Sequence, residues 1–316
     1  MTKFPWRVGK PFLLTALLFF TNSAAYGQQT PFTRHFVAAT EEHYQVTLNI
    51  KAESHSVTTE TIAAQTYVTP VIKAAQITLR WSAIRRVVAV DSDGTAQIEQ
   101  TNAPVGQQCE TTSQSPSQAD AKLQASLKAF CLAWARNETM RYSENANGKL
   151  IDNKSAALPP LDEDNPQLLS LWLLHAIRPS VIFPALKFEI GKKVQQSFQP
   201  VSSLLKNAHG SQTTEWLDAE GELPATTLHV VQQLSWAADH DAPGAKRDSG
   251  AASLAKDEAF FADSLTTLSL QDGSVLRASR TASRTTSRHV EPVPGLPQPP
   301  DFSSKLTLSV NIERLP

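Results

Sequence analysis

The sequence predicts a mainly β protein with two helices. The expected architecture is a large curved antiparallel sheet, half-barrel or sandwich-like, with one buried helix packed on it. Three observations carry this expectation. Most segments alternate apolar and polar residues with period two, the mark of a strand with one buried face. Clusters of Asp, Asn and Gly separate several of these segments and read as hairpin turns. One stretch, residues 168–177, is apolar on nearly every side at helical spacing, so a helix there must be enclosed.

The elements follow in chain order. Lys3, Arg7 and Lys10, with no acid among them, precede an apolar run at residues 12–20. Small and polar residues then run to Gly27. These are the charged, apolar and cleavage regions of a secretory leader. The apolar run is about ten residues, where a membrane span needs about 20. Ala25 and Gly27 suit a cut before Gln28; Ser23 and Ala25 suit one before Tyr26. The expectation is a leader over 1–27 and an exported β-rich domain over 28–316, with two lobes at about 28–160 and 180–316 as one division. The mature chain would be periplasmic or secreted, without a transmembrane span.

Tyr44, Val46, Leu48 and Ile50 share one strand face; Ile77, Leu79 and Trp81 share another. Val88 and Val90, then Ala96 and Ile98, flank the turn Asp91-Ser92-Asp93-Gly94. Residues 107–117 are polar and read as a loop. Ser117 caps an expected helix over 117–136, with Leu123, Leu127, Phe130 and Trp134 on one face. Tyr142 and Leu150 flank the turn Asn145-Ala146-Asn147-Gly148. Asp164 and Pro166 open the apolar helix at 165–177, and Pro179 and Pro184 close it. Leu228, Val230, Leu234 and Trp236 line a long strand. Residues 239–257 lack apolar rhythm. A further hairpin turns at Asp272-Gly273, and five prolines between 290 and 300 suggest an extended crossing. Leu306, Leu308, Val310 and Ile312 alternate as a last strand.

Composition narrows the chemistry. Without the leader's three cations, the 29 Lys and Arg become 26 against 30 Asp and Glu, a formal charge of −4. That weak acidic balance argues against nucleic acid as a partner. Cys109 and Cys131 are the two cysteines. In an oxidising compartment an even pair bridges.

Motifs for catalysis are sparse. There is no G-x-S-x-G; the S-x-x-K matches at Ser203 and Ser253 lack the companion motifs of penicillin-recognising enzymes. The eight histidines form neither H-x-H nor H-E-x-x-H, and no glycine-rich phosphate loop is present. No cofactor and no metal is expected. Residues 277–288 carry four arginines among Ala, Ser and Thr. As a strand, Arg280, Arg284 and Arg288 share one face. They are candidates for contact with an anion; the simpler reading is a charged, solvated edge strand.

The favoured function is a non-enzymatic exported scaffold that binds an apolar ligand or an envelope component. The alternative is an exported hydrolase whose site is assembled from residues distant in sequence. Two outcomes follow. N-terminal sequencing of the exported protein should begin at Gln28 or Tyr26; a retained Met1 would defeat the leader. Thiol labelling under denaturing, non-reducing conditions should find no free cysteine, since a Cys109–Cys131 bridge closing a loop of about 22 residues contributes roughly 3 kcal/mol.

Overall fold

The computed structural model describes residues 32–62, 65–104, 110–113, 139–153, 172–173, 175–184, 188–198, 209–218, 224–237, 254–290 and 302–316. The leader, both cysteines, the helix at 117–136 and the proline-rich stretch lie outside the described residues.

Twelve strands form one mainly antiparallel sheet. They are β1 (Glu41–Ile62), β2 (Gln65–Val90), β3 (Ala96–Pro104), β4 (Glu110–Ser113), β5 (Thr139–Glu144), β6 (Leu150–Asn153), β7 (Lys193–Phe198), β8 (His209–Asp218), β9 (Ala225–Ala237), β10 (Leu254–Ser269), β11 (Val275–Val290) and β12 (Phe302–Arg314). Eleven of them lie in the order β6-β5-β3-β2-β1-β12-β11-β10-β9-β8-β7, with β4 paired to β2. Among the described residues the sheet is not closed, and β6 and β7 are its edges. Pairing of β1 with β12 places residues from both expected lobes side by side in the same sheet.

The alternation read from the sequence becomes rows of side chains across the strands. Val46 stands between Trp81 and Ile312, Leu48 between Leu79 and Val310, and Ile50 between Ile77 and Leu308. All nine are buried. Facing side chains in adjacent strands contact directly, so these rows make a continuous apolar wall. Further along, the same rows change character. The Leu48 row continues through Arg280, Ser264, Val230 and Thr214. The Ile50 row continues through Ala282, Ala262, Gln232 and Gln212. The buried face is thus apolar on β1, β2 and β12 and mixed on β8 to β11.

Residues 172–184 pack on this face. Trp172, Leu173, Ala176, Ile177 and Phe183 join the main core with the strand residues. Of the expected helix at 165–177 only the last turn is described. The Ile177 amide donates to the Leu173 carbonyl at 3.0 Å there. No helical element is therefore present among the described residues, and the two-helix part of the expectation falls mostly outside them.

The Asn145–Gly148 turn and Phe32 hold residues 181–183. Gly148 adopts φ 74°, a left-handed conformation suited to glycine. A Cβ there would lie within 1.7 Å of the Val181 carbonyl oxygen. The Phe183 amide donates to the Asn147 carbonyl, and the Arg34 amide to that of Ala146. Phe32 packs on Phe183, Phe188 and Trp216, each at 5.3 Å between ring centroids.

The three expected hairpin turns are present at Asp91–Gly94, Asn145–Gly148 and Asp272–Gly273, with each glycine at positive φ. Other expectations need correction. Part of the polar stretch 107–117 is β4, which pairs with β2 at Ala75–Thr78, beyond the reach of β3. Its Thr111 and Thr112 suit a strand, and the unused edge of β2 supplies partners. Leu254–Asp257, expected as loop, opens β10. Strands β7 and β8 were not expected at all. The arginine-rich strand β11 is no edge strand: it lies between β10 and β12.

Trp172 is only 8% exposed. Trp172→Ala should cost roughly 3–5 kcal/mol, read as a shift in the denaturation midpoint. A neutral substitution would show that this segment does not support the core.

Candidate functional site

A strand residue and a chain turn meet at the centre of the buried face. The carbonyls at the end of a helical turn have no partner within that turn and need donors. Here the donor is Arg280 of β11. Its Nη1 donates to the carbonyls of Ala176 at 2.9 Å, Arg178 at 3.0 Å and His175 at 3.2 Å. Its Nη2 donates to the Ser180 carbonyl at 2.7 Å. The planar, always-charged guanidinium with several donors suits this task better than an ammonium. Burial pushes the Arg280 side chain down to about 10, still fully charged at neutral pH.

Beside this clamp lies a cavity of about 140 Å³. One wall is the 172–184 segment, through Trp172, His175, Ala176, Ser180, Val181, Ile182 and Pro184. The other is strand face: Gln212, Thr214, Val230, Gln232, Ala262, Ser264 and Arg280. Gly148, from the β5–β6 turn, completes it. The Gln232 amide donates to Gln212 at 2.8 Å, and that of Gln212 to the Thr214 hydroxyl at 3.3 Å. One wall is therefore largely apolar and the other carries a hydrogen-bonded polar row. A wider opening of about 510 Å³ adjoins Gly210, Leu234 and Phe260. Its described lining comes from β8, β9 and β10.

His175 lines the cavity. Burial, with the charges of Arg178 and Arg280, pushes its imidazole down to about 4, so it is neutral at physiological pH. No carboxylate and no cysteine is among the described lining residues.

A second polar cluster lies elsewhere in the interior. Glu42 accepts from Arg34 at 2.7 and 2.8 Å, from Arg85 at 2.8 Å and from the Tyr44 hydroxyl at 3.0 Å. Arg85 also bonds Glu144 at 3.1 Å, and the Arg178 guanidinium lies 4.7 Å above the Tyr142 ring. Burial alone would raise the Glu42 carboxyl; the Arg34 and Arg85 guanidiniums outweigh it and hold it at about 2. The Arg34 side chain also reaches the Pro179 carbonyl at 3.4 Å. This cluster ties the residues near 34 to β1, β2 and β5. It is a structural fastener: Arg85 is shared between Glu42 and Glu144, while Glu144 Oε1 is buried without a hydrogen-bond partner.

Of the predicted anion-contact residues, Arg280 and Arg284 are buried on the inner face. Arg280 reaches the cavity. Arg284 stands opposite Phe260 and Leu306, two rows further along. Arg288 pairs with Lys256 and Phe302 in register. Cys109 and Cys131 are not among the described residues. The described residues contain no group of three or more His, Cys, Asp or Glu placed to hold a metal, and no helix long and apolar enough to cross a membrane. Sequence reasoning missed Gln212, Thr214, Gln232 and Ser264. The available signal was a polar residue at an inward position of an alternating strand, as at Gln232 between Val230 and Leu234.

No protein-family model matches the chain, and no curated protein matches it. Among solved structures, the crystal structure of the P. putida toluene transporter TodX aligns over 86% of this chain and 89% of that one. The identity is 9% and the TM-score 0.15, a value too low to relate the two folds.

The depressed pKa values of His175 and Glu42 set an acid profile. His175 titrates at 6.5 when unfolded and at about 4 when folded, so the unfolded chain takes up the proton first. Stability is therefore lost as pH falls from 6.5 through 4. The Glu42 contribution is complete above 4.5 and is lost as pH falls through 2. Denaturant titrations across pH should show both windows. His175→Gln should flatten the upper one alone; an unchanged slope would remove His175 from the account.

Proposed function

We propose that the protein is a non-enzymatic exported scaffold whose sheet curls into a half-barrel around residues 172–184, and that it holds a small apolar ligand in the cavity beside Trp172. The observation that carries this reading is the cavity itself. A space of about 140 Å³ between Trp172, Val181, Ile182 and Val230 is close to the size of apolar cavities of about 150 Å³ that admit benzene. It suits one aromatic ring or the end of a longer chain.

Curling is supported by the lining. Gly148 adjoins edge strand β6, while Gln212 lies in β8, next to the other edge strand. Both line one cavity, so the two ends of the sheet approach each other across the segment. A long sheet with one apolar face needs such closure to remove that face from water. Export is supported by the leader pattern at residues 1–27. The hydrolase alternative requires a nucleophile and a base within hydrogen-bond reach. In the cavity Arg280 is committed to carbonyls, and no hydrogen bond joins the His175 ring to Ser180 or Ser264 among the described residues.

The test is occupancy. The protein should bind benzene, a single uncharged ring, at one site, with a change in tryptophan emission from Trp172. Ala262 is buried and small, and it lines the cavity. Ala262→Leu should fill the space and abolish binding, at a cost of about 1–3 kcal/mol in stability. Binding unaffected by this substitution would place the ligand elsewhere.

A further inference from the structure

Arg280 is 6% exposed, and among the described residues no carboxylate lies within ion-pair distance of it. The four carbonyls it meets are dipoles: they stabilise a cation without neutralising it. A buried charge is costly unless it is paired, so a site of this kind favours an incoming group of opposite sign. The clamp residue also lines the cavity, beside the donors of Gln232 and the hydroxyl of Ser264. Ser264 stands directly opposite Arg280 in the β10–β11 register. Its titratable neighbours bring no negative charge: Arg178 is a second cation, and burial with both guanidiniums holds the His175 imidazole neutral.

We infer that the cavity beside Trp172 accepts an amphiphile whose anionic head, a carboxylate or a group of like charge, sits against Arg280 and Ser264 while its apolar body lies on Trp172, Val181 and Ile182. This rests on the ligand-binding reading above and specifies the ligand class. The head supplies the counter-ion that the described chain lacks, and the body fills the apolar side. Arg280 remains bonded to the carbonyls, so the anion meets a guanidinium already fixed in place. An alkylammonium of equal size is disfavoured because it would set two cations together.

The experiment compares hexanoate, hexanol, hexylamine and acetate by calorimetry at pH 7.5 on the full mature chain. Hexanoate should bind at least about tenfold tighter than hexanol, with hexylamine and acetate weaker still. Because Arg280→Met would also remove the clamp and could unfold the protein, the deciding variant is Ser264→Asp. It places a carboxylate opposite Arg280. The variant should melt higher than the wild type and lose the preference for hexanoate over hexanol. Hexanol binding as tightly as hexanoate leaves the apolar site intact and overturns the anionic head. Acetate matching hexanoate reduces the site to an anion site and overturns the amphiphile. Absence of binding by all four overturns the site reading together with this one. Ser264→Asp that melts lower overturns the assignment of Arg280 as a cation lacking a counter-ion.

Discussion

Residues 175–180 present four carbonyl oxygens to the interior of the sheet, and Arg280 satisfies them all. Backbone polar groups cannot enter an apolar interior without partners, since each orphaned group costs about 1–3 kcal/mol. The 172–184 segment can cover the inner face only because one strand residue has the reach and the donors to receive it. Covering that face is in turn what lets long one-sided strands persist in water. The position of Arg280 in the middle of β11 therefore governs how the sheet is filled.

The rest of the interior is arranged around that requirement. Apolar rows from β1, β2 and β12 meet the apolar side of the segment. The Gly148 turn is the close-fitting piece: a side chain at that position would occupy the Val181 carbonyl. Phe32 and its aromatic neighbours pack near Phe183, and the Glu42 cluster ties Arg34, which also reaches the Pro179 carbonyl, to β1, β2 and β5. The segment is thus held by a guanidinium at its carbonyls, by a turn at Val181 and by aromatic rings at Phe183. Each contact depends on residues far apart in the chain. They form late in any account that begins from local structure.

Where the segment meets β8 to β10, the fit is incomplete. Small and polar residues, Ala262, Ser264, Thr214 and the two glutamines, leave space that the bulkier residues of β1 and β12 fill elsewhere. The gap lies next to Arg280, whose described partners are all carbonyl dipoles. Among the described residues, open space and a buried guanidinium coincide at this place.

The strands were legible in the sequence because a one-sided strand in a sheet must alternate, and Tyr44 to Ile50 or Leu306 to Ile312 alternate strictly. The turns at Gly94, Gly148 and Gly273 were legible because positive φ selects glycine. Strands β7 and β8 were not, since Gln195, Gln196, Gln212 and Thr213 face neighbours of similar polarity and leave no rhythm. The arginines at 280 and 284 were correctly placed on one strand face. Which face was beyond the sequence: alternation says that two faces differ, and only tertiary packing decides which is enclosed. A charged row reads as the wet side until the carbonyls that require it are seen. Local pattern determined the strands and turns; the burial of Arg280, the cavity beside it and the path of residues 172–184 were decided by contacts about a hundred residues apart, which no local pattern encodes.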